Sequence, residues 1–179
     1  MQATYTLLDF LFNTYAMIVL ARVWLQFARA DFYNPLSQFV VKVTQPVVGP
    51  MRRFIPAIGR IDSATLLFAY LVIVLKVIVM QLIFGTGMPP IIPAIIASLF
   101  LLLKVAFNLL FIVLIIRMIL SFVSQGNNPM EYVLHQLTEP MLAPIRRFIP
   151  VIGGLDFSPL VLILGTQFII NLIGEYVRI

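Results

Sequence analysis

Two arginine pairs, Arg52-Arg53 and Arg146-Arg147, each stand directly before Phe-Ile-Pro, in MRRFIPAIG (51–59) and IRRFIPVIG (145–153). A guanidinium presents a planar fork of donors that matches a phosphate or carboxylate, and an adjacent phenylalanine supplies an apolar anchor. Arg52, Arg53 and Phe54, with Arg146, Arg147 and Phe148, are therefore suited to lipid head groups or to a partner protein. Asp62 and Asp156 follow the first arginine of each pair by ten residues and are placed to close each loop through a salt link. The plainer reading is that these arginines only set topology and stretch their stems along the apolar layer.

A second set of polar groups interrupts long apolar runs: Asp9, Asn13, Arg22, Lys76, Lys104, Asn108 and Arg117. Ionisable residues inside a membrane are costly and usually face the bundle interior. Arg22 and Arg117 fall about seven residues from the ends of their runs, roughly 10 Å deep, within an arginine's reach of the head groups. Both are expected to snorkel, with an anion or lipid site as the alternative. Asp9 aligns with Lys104, and Asn13 with Asn108, under an internal repeat described below. The expectation is an Asp9–Lys104 pair between the first and third spans, supported by both asparagines, with Lys76 at a similar depth. Such contacts average only ~0.6 kcal/mol in membranes and would fix geometry more than stability. An ion path through the same residues is the competing reading, although a cation path favours carboxylate rings.

Catalysis is not expected. Cysteine is absent and His135 is the single histidine, so no metal centre is expected. No glycine-rich phosphate loop is present, and no cofactor is called for. Ser121 and Ser124 lie in a different segment from His135 and make no triad.

The elements that hold these groups follow from composition. Apolar residues make up 61% and charged residues 11%, far from the roughly 45–50% and about 25% of soluble domains. Four runs reach the length of a spanning helix: about 5–28, 64–84, 95–123 and 159–177. The first is read as a retained span rather than a signal peptide, because no basic residue precedes it and Arg22 interrupts it. The net charge of +5 lacks a basic cluster of the kind nucleic acid requires. The Gly85–Pro90 stretch makes a short turn between the second and third spans.

A shift of 94 maps Asn34-Pro35 onto Asn128-Pro129, Thr44 onto Thr138, Pro46 onto Pro140 and Pro50 onto Pro144. The same shift carries Arg52-Arg53, Pro56, Gly59 and Asp62 onto their later copies, and a shift of 95 maps Arg22 onto Arg117. The chain thus reads as an all-α membrane protein of two parallel repeats, residues 1–88 and 89–179, each a span, an interfacial helix (about 35–49 and 129–143) and a second span. Positive charge concentrates in the two repeat loops, which places them in the cytoplasm and both termini on the opposite side. Within the loops, Leu36, Phe39, Val40, Val43 and Val47 match Met130, Val133, Leu134, Leu137 and Met141, and both sets fall on one helical face. That face is expected against lipid or the bundle. Asn34 and Asn128 suit N-caps, Pro35 and Pro129 suit first-turn positions, and Glu131 suits a capping box. Pro46, Pro50 and Pro56, with their copies, are expected to end each interfacial helix.

The two copies NPLSQFVVKVTQPVVGPMRRFIPAIGRID and NPMEYVLHQLTEPMLAPIRRFIPVIGGLD, between apolar helices, resemble the YggT family of bacterial and plastid membrane proteins. The resemblance covers nearly the whole chain. It implies a multi-pass inner-membrane protein of Gram-negative type, without enzymatic activity, whose relatives have varied roles in osmotic or cation tolerance, cell division or nucleoid organisation, and plastid cytochrome assembly. Single-unit relatives imply that two units must pair, in one chain or across a dimer. The copies have diverged: Gln45 becomes Glu139 and Arg60 becomes Gly154, so the loops carry +3 over residues 29–63 and −1 over 124–158. The expected role is a membrane scaffold or assembly factor whose loops bind anionic lipid head groups, a membrane-protein partner or a second copy. A small transport-related protein for ions or osmolytes is the alternative.

Overall fold

The computed structural model describes residues 1–31, 33–85, 87–123, 129–149 and 156–176. Six helices follow one another: α1 (Gln2–Phe27), α2 (Pro35–Met51), α3 (Ser63–Phe84), α4 (Ile91–Val123), α5 (Pro129–Phe148) and α6 (Ser158–Tyr176). Stretches within α1, α3, α4 and α6 are long and apolar enough to cross a membrane. Their boundaries agree with the apolar runs to within a few residues, because run length is what a bilayer selects.

The four long helices bury small and branched residues where they cross. Ala16, Val19 and Leu20 of α1 meet Ala69, Val72 and Ile73 of α3 and Leu102 and Val105 of α4. Ala16 and Ala69 are fully buried, and their size lets the backbones approach closely. The Tyr70 hydroxyl donates to the Ile95 carbonyl at 2.9 Å, a further link between α3 and α4. α4 packs on α1, α3, α5 and α6, so it is the element the two halves share. Large apolar side chains such as Phe10, Leu75, Leu99, Leu103, Leu164 and Phe168 point outward, while Arg22, Thr44, Asp62, Thr65 and Lys76 are buried. This inversion of a soluble protein's pattern is what a hydrocarbon solvent requires.

α2 and α5 are clasped by the long helices. Leu25 of α1, Val40 of α2, Val113 of α4 and Val133, Leu134 and Leu137 of α5 form one buried cluster. The Asn34 side chain caps α2 by accepting from the Leu36 amide at 2.8 Å, and its Nδ2 donates to the Pro129 carbonyl at 2.9 Å, joining the starts of α2 and α5. Asn128, and with it the expected capping box to Glu131, lies outside the described residues.

One expectation is corrected here. The prolines do not end the short helices: α2 runs through Pro46 and Pro50, and α5 through Pro140 and Pro144. Each pair is four residues apart, so the missing donors fall on one outward side, where the freed carbonyls need no partner from the bundle. Of the two places expected for the apolar stripe of α2, against lipid or against the bundle, much of it takes the outward one. Ser37, Val40, Thr44 and Val48 face the bundle, whereas Phe39 and Val47 are exposed. The rotation brings Thr44 to Arg22. In α5 the expected Val133, Leu134 and Leu137 are buried, together with Thr138 and Leu142, while Met130 and Met141 stay at the surface.

Candidate functional site

In each half, two arginines knit the short helix to its neighbours. Arg22 is only 3% exposed. Its Nη1 donates to Thr44 Oγ1 and its Nη2 to Gln45 Oε1, both at 2.7 Å. Thr44 in turn donates to the Val40 carbonyl at 2.7 Å, so one hydroxyl satisfies both its own helix and a buried cation. Arg117 repeats the arrangement with Thr138, which donates to the Leu134 carbonyl at 2.7 Å. Its second partner is the Glu139 carboxylate at 3.2 Å instead of an amide. The expected snorkelling is thereby corrected: these guanidinia end on protein oxygens, because α2 and α5 cover them before they reach the head groups.

The first arginine of each RRFIP stretch makes the second tie. Arg52 Nε donates to Asp62 Oδ2 at 3.0 Å, and Arg52 Nη2 donates to the same oxygen and to Gln26 Oε1 at 2.8 Å. Asp62 is 1% exposed and caps α3 by accepting from the Thr65 amide at 3.4 Å and from its hydroxyl. Burial by itself would raise the Asp62 carboxyl, but hydrogen bonds from Arg52 and Thr65 and the charge of Arg52 outweigh it and hold the group below its ordinary value. Arg146 Nε donates to Asp156 Oδ2 at 2.7 Å, and Asp156 accepts from the Ser158 amide at 2.9 Å. Burial again pushes the Asp156 carboxyl up, and the Ser158 and Arg146 contacts bring it below the ordinary carboxylate range. The Asp salt links expected at the loop ends are thus formed. In the first loop Gly59, at φ 63°, allows the tight turn in which Ile58 and Ile61 exchange backbone hydrogen bonds at 3.0 and 3.1 Å.

The second arginine of each pair behaves differently. Arg53 and Arg147 are exposed, and among the described residues neither has an ion-pair or hydrogen-bonded partner through its side chain. Beside them, Phe54 is 85% and Phe148 86% exposed. The six expected loop residues therefore split: Arg52 and Arg146 hold the fold, and Arg53-Phe54 and Arg147-Phe148 stand free.

At the other end of the spans, Asp9 pairs with Lys76, not with Lys104. Lys76 Nζ lies 2.6 Å from Asp9 Oδ1 and donates to Asn13 Oδ1 at 2.8 Å, and Asn13 Nδ2 donates to Asp9 Oδ2 at 2.9 Å. α3 packs along α1 within the first half, so Lys76 arrives first. Asn108 Nδ2 turns back to the Lys104 carbonyl at 2.9 Å. All five residues, with Tyr5 and Gln81, line a cavity of about 460 Å³.

Thr44, Thr138, Gln45, Glu139 and Gln26 belong to the site although sequence reasoning gave them no role. The signal was present: threonine recurs two residues before proline in both copies, as does the arginine in the span before it. No group of three or more His, Cys, Asp or Glu able to hold a metal is found among the described residues.

An all-helical bundle with four potential membrane spans and short helices clasped between them by arginine ties defines the class: a multi-pass helical membrane protein. The CCB3/YggT family pattern matches residues 1–83 and again 96–177. The chain belongs to this family. It is 58% identical over 172 residues to a protein of Vibrio alginolyticus known as "Uncharacterized protein in proC 3'region", covering 96% of this chain and 93% of that one. It is 52% identical over 166 residues to "Uncharacterized protein YggT" of Escherichia coli (strain K12), covering 93% and 86%. A Pseudomonas aeruginosa relative, "Uncharacterized protein PA0392", is 44% identical over 169 residues, covering 91% and 84%. No solved structure matches.

Proposed function

We propose that this chain is a non-enzymatic scaffold or assembly factor of the bacterial inner membrane. Its two free tips, Arg53-Phe54 and Arg147-Phe148, contact anionic lipid head groups and through them a larger membrane complex or a second copy. The observation that carries this reading is the split within each arginine pair. Internal partners occupy Arg52 and Arg146, whereas the second arginine and its phenylalanine are exposed, and the arginine side chain has no hydrogen-bonded or ion-pair partner among the described residues. A cation beside an exposed aromatic suits the boundary between head groups and acyl chains. The exposed Phe39 and Val47 give α2 an outward apolar edge as well, which suits a helix lying in that boundary. The excess of basic residues puts both loops on the cytoplasmic side and both termini in the periplasm.

The test is recovery from native membranes in mild detergent. The full chain should bring down a stoichiometric partner or itself as an oligomer, and the variant Arg53→Ala, Phe54→Ala, Arg147→Ala, Phe148→Ala should lose it while unfolding at an unchanged temperature. A monomer recovered from both would sink the reading. The cavity around Asp9 and Lys76 favours a second reading, a small transport-related protein for ions or osmolytes. Liposomes carrying the purified chain distinguish the two, since a scaffold passes no flux.

A further inference from the structure

The two halves bind their buried arginines with the same parts except one. In the second half Glu139 stands between two cations: its Oε2 is 3.2 Å from Arg117 Nη2, and its Oε1 is 2.5 Å from Arg146 Nη1. In the first half the matching residue is Gln45, whose amide oxygen reaches only Arg22. Arg22 and Arg52 then line a cleft of about 420 Å³ together with Gln26, Val41 and Gln45. Arg52 Nη1, the counterpart of the Arg146 nitrogen that Glu139 holds, has no partner among the described residues. A neighbouring hollow shares Val41 and Gln45 and adds Lys42, which the second half replaces with Gln136. Asp62, paired with Arg52, is the one carboxylate among these groups, so two arginines share one anion, where Arg117 and Arg146 share Glu139 and Asp156.

We infer that this cleft is a binding site for a phosphate group. The bound phosphate supplies to Arg22 and Arg52 the negative charge that Glu139 supplies within the second half. The duplicate shows the geometry an anion takes between such a pair, and paired arginines match the oxygens of a phosphate with parallel hydrogen bonds. The site lies where the C-terminal end of α1 meets the end of α2, next to the Arg53-Phe54 tip, so its phosphate comes from a lipid head group or from free phosphate. It is a stoichiometric site, distinct from the exposed tips, and does not rest on the scaffold reading.

The purified full chain in maltoside micelles is titrated with dihexanoyl phosphatidylglycerol and, separately, with inorganic phosphate, and binding is read by ³¹P line broadening and native mass spectrometry. One saturable site per chain is expected. Gln45→Glu, which places the second half's own carboxylate in the cleft, should weaken binding at least ~10-fold, the scale set by a lost charge-assisted contact. Competition by inorganic phosphate would identify the free ion as sufficient, and binding of the lipid alone would identify the head group; both outcomes support the site. Absence of saturable binding by the native chain overturns it, as does binding by Gln45→Glu at native affinity with helicity intact. Glu139→Gln provides the converse check, since opening the second half should raise the stoichiometry toward two.

Discussion

Replacing Thr44 with valine keeps the shape of a fully buried side chain and removes one oxygen. That oxygen is fully buried and accepts from the Arg22 guanidinium, and the valine methyl fills the space it leaves, so no new acceptor takes its place. A hydrogen bond to a charged group contributes about 1.5–3 kcal/mol, and an orphaned buried donor forfeits most of it. Thr44→Val should therefore cost about 2 kcal/mol in holding α2 against α1, which is about a 30-fold rise in the detached population. The chain has no cysteine. A single Val48→Cys, at a position fully buried against the bundle, reports detachment through its rate of reaction with a thiol reagent. Labelling should accelerate about 30-fold in the Thr44→Val background. Thr138→Val, read from Leu142→Cys, should accelerate less, because Arg117 keeps a carboxylate partner at 3.2 Å. The decisive control is Arg22→Met with Thr44→Val, in which donor and acceptor vanish together. Its labelling should be no faster than that of Arg22→Met alone. Additive effects of the two changes, or a Thr44→Val rate within about threefold of the parent, would show that the tie carries no such energy.

Two further outcomes follow from the same geometry. Asp62 has a folded-state pKa below its ordinary 3.8, so the stability it adds is complete above that value and drains away as pH falls through the lower folded value. A spin label at Ile58→Cys should stay immobile down to about pH 4 and loosen below it, whereas Asp62→Asn should be mobile at neutral pH; onset near pH 6 would contradict the assignment. At the opposite end, Asp9→Lys should lower the yield of folded protein in detergent. Lys76→Asp should rescue it and Lys104→Asp should not, and the reverse pattern would restore the pairing suggested by repeat symmetry.

The long helices were legible because crossing a bilayer demands a length and an apolarity that few other structures need. The Asn34 cap and the Asp62 and Asp156 loop closures were legible for a local reason, since each joins residues near in sequence. What escaped was contact chosen by packing. Asp9 had two lysines at plausible depth, and only the proximity of α3 to α1 selects Lys76 over Lys104. On α2, five apolar residues at helical spacing pointed to one face but left open whether lipid or the bundle receives it, and the contact of Thr44 with Arg22 goes with an outward Phe39. The prolines misled because a missing donor ends a helix only where the freed carbonyl is stranded. Arg52 and Arg53 carry the same charge in adjacent positions, and nothing in their types tells which one turns inward.

Glu139 gives the second half a different kind of vulnerability from the first. One carboxylate there touches Arg117, Arg146 and, at 3.2 Å, the His135 ring, so the loss of a single side chain removes three contacts at once and leaves Arg117 on Thr138 and Arg146 on Asp156. The earlier half holds Arg22 on Gln45 and Arg52 on Gln26 and Asp62, with no one side chain touching both arginines. It can surrender any one of these partners and keep the rest. The copies are no longer spare parts for each other: a chimera built from two second halves would arrive with both cation pairs already neutralised, and one built from two first halves would leave both pairs open.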